Sequence, residues 1–519
     1  MTADDSFRFL VDRRSALIGV VAAMAAPGTV LAQAEPPRAI ADPSVDGAAF
    51  DRARLIEFAR DLARKPFVAP NVTLPDGLGG LNFETYNGIR LRPERALFAG
   101  EAGALVVEPL HRGFVFQTPV TLSIVEAGLA RRVSYSPAAY DFGKLTPPPS
   151  SVGDIGFSGA RIMLRGNDGT LRFVAAFQGA SLLRSLARGQ TAGAISRALS
   201  LRTADQRGEE FPFFRSLWIE RPGNDDVVIV HALVDSPSAT GAFAFTIRIG
   251  EVTLVDTEAA IFARVALDNF GIAGMQASFL FGWTDRRGVD DTRTAVHEVS
   301  GLQMMAGNGE WIWRPVTNPK QLQVSSFAMA NPRGFGLVQR DRAFASYNDH
   351  DGRYDLRPSL WIEPIGEWQQ GAVQLVEIPS ESEVNDNIIA LWRPKDPVPA
   401  GGEVNLAYRQ HWCWSPPERP NLAQVTGTRI GRAAQRRRRF IVDLAGDRLA
   451  GLKPADLQAA LWASNNGISN TRIVPLDGDK SLRVSFDLDP GSETLIELRL
   501  ALTLANAPVS ETWLYRWTP

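Results

Sequence analysis

The spacing of apolar positions changes once along this chain. In "DRARLIEFARDLARKPF", Leu55, Phe58, Ala59 and Leu62 recur three and four residues apart, behind an aspartate at Asp51. That spacing predicts one amphipathic helix with Asp51 near its start. Beyond it the pattern becomes one of strands. "FAFTIRIG" alternates Phe243, Phe245, Ile247 and Ile249 with small or polar residues. "DVVIVHALVDS" is a more continuous apolar run, as expected of a strand buried on both faces. Near the C-terminus Leu482, Val484, Phe486 and Leu488 oppose Arg483, Ser485 and Asp487, and the run from Ile496 to Leu504 repeats that alternation. The predicted class is all-β: a large β-sandwich over 35–413, a linker over 414–424 and a smaller immunoglobulin-like sandwich over 425–519. "WCWSPPERPNLAQVTGTRIGRAAQ", Trp412 to Gln435, has prolines and no clear period, and reads as a connection or long loop.

Composition narrows the chemistry. A chain of 519 residues exceeds one ordinary core, and 45% apolar with 22% charged residues is normal globular usage. A formal net charge of −2 gives no overall basic field to gather nucleic acid or an anionic membrane. The one basic cluster, Arg436 to Arg439, leads into a strand and reads as a solvated edge that discourages aggregation. Cys413 is alone and the five histidines are scattered singly, which argues against an intramolecular disulfide and a zinc site. No dinucleotide, phosphate-loop or nucleophile-elbow pattern occurs, so no metal and no cofactor are expected. At the N-terminus Arg13-Arg14 precedes a short apolar run, Ala16 to Ala26, and small residues at Ala32 and Ala34. Residues 1–34 therefore read as an export signal, of twin-arginine type or an ordinary secretory signal with a chance arginine pair.

Two stretches carry candidate chemistry. "IPSESEVNDNIIALWRP" sets Asp386 between two amides at the mouth of an apolar strand. Turn chemistry explains such a residue, and so does an acid held against an apolar element. Eight of the twelve tryptophans fall between Trp283 and Trp414, most densely in "GNGEWIWRP". Trp311 and Trp313, with Arg314 beside them, suit the C–H faces and hydroxyls of sugars. A buried core explains the same tryptophans equally well.

The segments "RGEEFPFFRSLWIERP", "LVDSPSATGAFAF", "GNGEWIWRP", "NPRGFGLVQRDRAF", "RYDLRPSLWIEP" and "VNDNIIALWRP" resemble, in order and spacing, the periplasmic glucans biosynthesis proteins G and D. The resemblance runs from about Phe67 to the C-terminus, and the paired arginines of the signal favour the D branch. It implies a mutarotase-type sandwich followed by an immunoglobulin-like domain, located in the periplasm. It also implies a role in making β-1,2-linked glucose polymers, with a membrane glucan synthase as a candidate partner. Some members are inverting endo-β-1,2-glucanases. The resemblance then implies that Asp386 is the general acid and that Tyr354 belongs to the site, and Trp361 joins the sugar-contacting candidates. Glu298 stands where the family usually carries an aspartate that assists the attacking water. Its extra methylene bears on proton-transfer geometry, and a surface strand-end carboxylate is the other reading of it. The alternative to an enzyme is a glucan-binding protein that presents the nascent backbone without cutting it.

Overall fold

The computed structural model describes residues 42–100, 104–149, 151–223, 226–286, 288–418, 420–476 and 478–519. The predicted export signal lies outside the described residues. Among them the chain is almost entirely β. A fifteen-stranded sheet and a nine-stranded sheet hold most of the strands, and a four-stranded sheet lies near the C-terminus.

The large sandwich packs the nine-stranded sheet against the greater part of the fifteen-stranded one. Their facing side chains form one core that includes Phe177, Phe243, Phe245, Met275, Leu375, Trp392 and Trp412. Val227–Asp235, Ala239–Arg248, Thr253–Ala263 and Glu403–Cys413 run antiparallel in the middle of the larger sheet. The run around Val227–Asp235 is buried on both faces, as its pattern predicts. Ala239–Arg248 differs from expectation, because its small outward residues are buried too. The helix Arg52–Ala63 covers them, placing Leu55, Phe58 and Ala59 against Ala242, Ala260 and Trp218. Alanine is small enough to admit a helix at that distance. The helix starts where the sequence predicts, with the Asp51 carboxylate accepting from the Arg54 amide at 2.8 Å.

The C-terminal sandwich is not a separate bead. Its strands Leu457–Ala463, Ile496–Leu504 and Thr512–Trp517 continue the fifteen-stranded sheet, with Thr512–Trp517 parallel to Trp311–Pro315. The four-stranded sheet covers them, and Phe440, Phe486 and Trp513 fill the space between. Trp313 and Val338 of the large sandwich belong to this second core. Within the unpatterned stretch 412–435, Trp412 and Cys413 end a core strand and Gln424–Arg432 is itself a strand. Its glycines and a register shift between Val425 and Gly427 hide the alternation.

The arginine cluster requires a correction. Arg438–Ala445 lies inside its sheet, between Gln424–Arg432 and Ser481–Leu488, and is not an edge. An interior position is tolerable because the Asp487 carboxylate accepts two hydrogen bonds from Arg439, at 2.8 and 2.9 Å.

Where the two sandwiches meet, Arg314 and Glu377 form an ion pair at 3.1 Å, with both side chains at most 1% exposed. Glu377 also accepts from the Thr317 amide and hydroxyl, and Arg314 lies over the Tyr515 ring. Removing one member of a buried pair strands the other charge, at a cost of about 3–5 kcal/mol. Arg314→Met should therefore lower unfolding free energy by that order in denaturant titration. The double variant Arg314→Met/Glu377→Met should recover most of the loss, and equal stability of the single and double variants would contradict this account.

Candidate active site

Asp386 sits at the end of a turn that leads into Ile388–Pro394, in the nine-stranded sheet. The flanking amides perform the turn chemistry. Asn387 donates to the carbonyls of Phe279 and Ile378, both at 3.0 Å, and accepts from the Phe279 amide at 2.8 Å. Asn385 donates to the Ser380 hydroxyl at 3.1 Å. The Asp386 carboxylate is engaged elsewhere: the Gln276 side-chain amide donates to its Oδ2 at 2.7 Å. Gln276 in turn accepts from Arg197, which pairs with Glu209.

Glu298 is brought to the same place by a two-stranded ribbon, Phe279–Phe281 with Val296–His297. It is 5% exposed and thus buried, unlike a surface strand-end carboxylate. The Ser278 amide donates to its Oε2 at 3.3 Å, and the Arg357 guanidinium lies 3.8 Å from Oε1. Burial pushes the Glu298 carboxyl up to about 7, with the Asp386 charge adding to the rise and Arg357 and Arg184 opposing it. The two candidate carboxyl groups therefore share one electrostatic environment.

Tyr354 is 2% exposed, and its hydroxyl has no hydrogen-bond partner among the described residues. Burial holds its phenol well above the ordinary value, and the Glu383 charge adds to this. Glu383, in the Asp386 turn, pairs with Arg293 at 2.6 Å, and Arg293 also holds Asp291 and Asp349. That cluster ties the turn to the loop before Val296–His297. Three side chains that the sequence reading did not single out complete the site: Gln276, Arg357 and Arg184. Arg184 is buried beside both carboxylates, and its Nε lacks a partner among the described residues. Arg357 lies inside the quoted "RYDLRPS" segment. The other two carry no local signal, since only strand pairing brings them alongside.

The sugar-contacting candidates are placed differently. Trp311, Trp313, Arg314 and Trp361 are between 1% and 7% exposed. Trp311 stacks on Trp361 at 5.9 Å, Arg340 covers the Trp313 ring at 3.5 Å, and Arg314 is held by Glu377. Trp313 belongs to the second core and also lines a cavity between the sandwiches, while Trp311 and Trp361 are buried against each other. Alternation along a strand cannot tell an aromatic facing a second sandwich from one facing a groove.

The class defined so far is a tandem all-β sandwich with two interacting carboxyl groups in an arginine-lined site. The family described as "Periplasmic glucan biosynthesis protein, MdoG" matches residues 50–517, and the chain belongs to it. It is 43% identical over 514 residues to Glucans biosynthesis protein G of Rhodopseudomonas palustris, covering 98% of this chain and 100% of that one. A Shewanella protein of the same name is 42% identical over 497 residues, covering 93% and 91% of the two chains. These relatives carry the G name, whereas the expected D branch rests on Arg13-Arg14, outside the described residues. A chondroitinase AC lyase structure superposes with a TM-score of only 0.14 at 10% identity, which carries no argument. No helix among the described residues is long and apolar enough to cross a membrane.

The raised Glu298 has a measurable consequence. A carboxyl held tighter by its proton when folded costs stability as pH rises past its unfolded value, here near 4.5, and the cost is complete above about 7. Glu298→Gln removes that cost. The stability gap between variant and parent should widen between pH 4.5 and 8, by up to roughly 3 kcal/mol. Thermal melts across that range provide the check, and a gap independent of pH contradicts the raised value.

Proposed function

We propose that this protein acts in periplasmic glucan biosynthesis as an inverting endo-β-1,2-glucanase that trims or remodels β-1,2-glucan. The observation that carries the reading is that Asp386 and Glu298 bring two carboxyl groups into one arginine-lined site, where burial lifts Glu298 to about 7. In an inverting glycosidase one carboxylic acid protonates the leaving oxygen while the other carboxylate takes a proton from water on the opposite face of the sugar. Asp386 gives its carboxyl proton to the glycosidic oxygen as the bond to the anomeric carbon breaks. Water bonds to that carbon from the far side, and its released proton passes to Glu298, directly or through an intervening hydroxyl such as that of Tyr354. A base whose conjugate acid titrates near working pH is well matched to this task. The single carboxylate charge passes from Glu298 to Asp386 in this step, and Arg184 lies beside both groups to offset it.

The unpartnered Tyr354 hydroxyl and the Arg184 Nε also favour a second reading, in which the same site holds glucan for a membrane synthase without cutting it. Glu298 in place of the usual aspartate is the residue on which the two readings diverge. Export to the periplasm, through the signal at residues 1–34, belongs to both.

Asp386→Asn separates them. The amide still accepts from Gln276 but has no acidic proton, so release of reducing ends from linear β-1,2-glucan should fall by about three orders of magnitude or more. Affinity for the glucan, measured by calorimetry, should change little. Parent protein that binds glucan and releases no reducing ends would establish the presenting role instead.

A further inference from the structure

The ribbon that carries Glu298 is a partition. Neighbouring residues on a strand point to opposite faces. Ser278 and Glu298 meet on one side, while Phe279 and His297 stack on the other with ring centroids 5.1 Å apart. Behind that second face lies a cavity of about 650 Å³ between the large sandwich and the C-terminal one, lined among others by Phe279, Trp283, His297, Gln339, Thr426 and Trp414.

The tautomer of His297 follows from its neighbours. The Arg340 amide donates to the Ser300 hydroxyl, which donates to the Gln339 carbonyl oxygen. The Gln339 NH2 group then faces His297 and donates to its carbonyl at 2.9 Å and to its Nδ1 at 3.2 Å. Nδ1 must accept, so the proton is on Nε2. Burial holds the ring down to about 3, so it stays neutral. His297 as a whole is 6% exposed and lines the cavity, and its Nε2–H makes no hydrogen bond to another described residue. Gly282 leaves room beside it, since a Cβ there would lie 3.2 Å from Nε2.

The walls favour an uncharged ligand. Arg340 pairs with Glu511 and Arg429 with Asp443. Arg342 donates to carbonyls and to Ser359, and Asp341 and Glu418 line the same cavity. No surplus of positive charge remains to draw an anion. Trp283 is 59% exposed and offers an aromatic face at the mouth. An aromatic platform above a fixed neutral donor is the combination that recognises a sugar ring.

We propose that the cavity between the two sandwiches is a second glycosyl-binding site, which holds a neutral glucose unit against Trp283 and the His297 Nε2–H. It is separated from the carboxylate site by a single ribbon. The choice of probe rests on the β-1,2-glucan reading above, but binding here requires no hydrolysis.

Calorimetric titration of the Asp386→Asn protein with a β-1,2-linked glucotriose tests it. Trp283→Ala removes the platform, and Gly282→Ala places a methyl group beside Nε2. Each should weaken one binding event at least tenfold, in protein whose melting is that of the parent. Affinities unmoved by both substitutions would overturn the proposal. Inorganic phosphate binding more tightly than the trisaccharide in a Trp283-dependent manner would overturn the neutral-ligand assignment. A parent protein that releases no reducing ends would defeat the hydrolase reading and leave this result standing.

Discussion

Glu377 and Arg314 bury opposite charges at the seam where two sheets and two sandwiches converge. Arg314 belongs to Trp311–Pro315, a strand of the fifteen-stranded sheet, and Glu377 ends Gln370–Glu377 in the nine-stranded one. Through the parallel pairing of Ile312 and Trp313 with Thr512 and Trp513, the same short strand holds the C-terminal sandwich. Two charges at most 1% exposed are tolerable only while they face each other with their remaining hydrogen bonds filled, as the Thr317 contacts to Glu377 ensure. The seam in turn fixes what lies around it. Asn318, just beyond Thr317, donates to the carbonyls of Leu280 and Ser380, joining the Glu298 ribbon to the Asp386 turn.

Much of this architecture is legible in the sequence because period-2 burial is a local property. The helix at Arg52–Ala63, the strands around Phe243 and Leu482 and the all-β class follow from spacing alone. What the pattern misses is partnership. The sequence cannot say that a helix covers Ala242, or that Arg438–Ala445 lies inside a sheet with Asp487 to neutralise it. Nor can it say that Trp313 belongs to the second core. Each of these depends on residues far away in the chain.

The site shows the same division. Asp386 is marked by the turn it sits in, and family resemblance supplied Tyr354 and Glu298. Gln276 and Arg184 arrive by strand pairing and leave no local trace. The electrostatic consequence, a buried Glu298 raised by desolvation and by Asp386 with Arg357 opposing, is a property of the assembled cluster. Family membership says in which process the chain takes part, while the protonation of these groups determines whether it can cut.

An inverting pair commits the first product to one configuration. The most direct test of the proposed mechanism is proton NMR of the reducing ends released from linear β-1,2-glucan in the first minutes, before mutarotation scrambles them. Inversion at a β-linkage predicts α-configured ends at the outset, relaxing later to the equilibrium mixture. Ends that first appear in the β configuration would contradict the assignment of Asp386 and Glu298 as an acid and base acting through water.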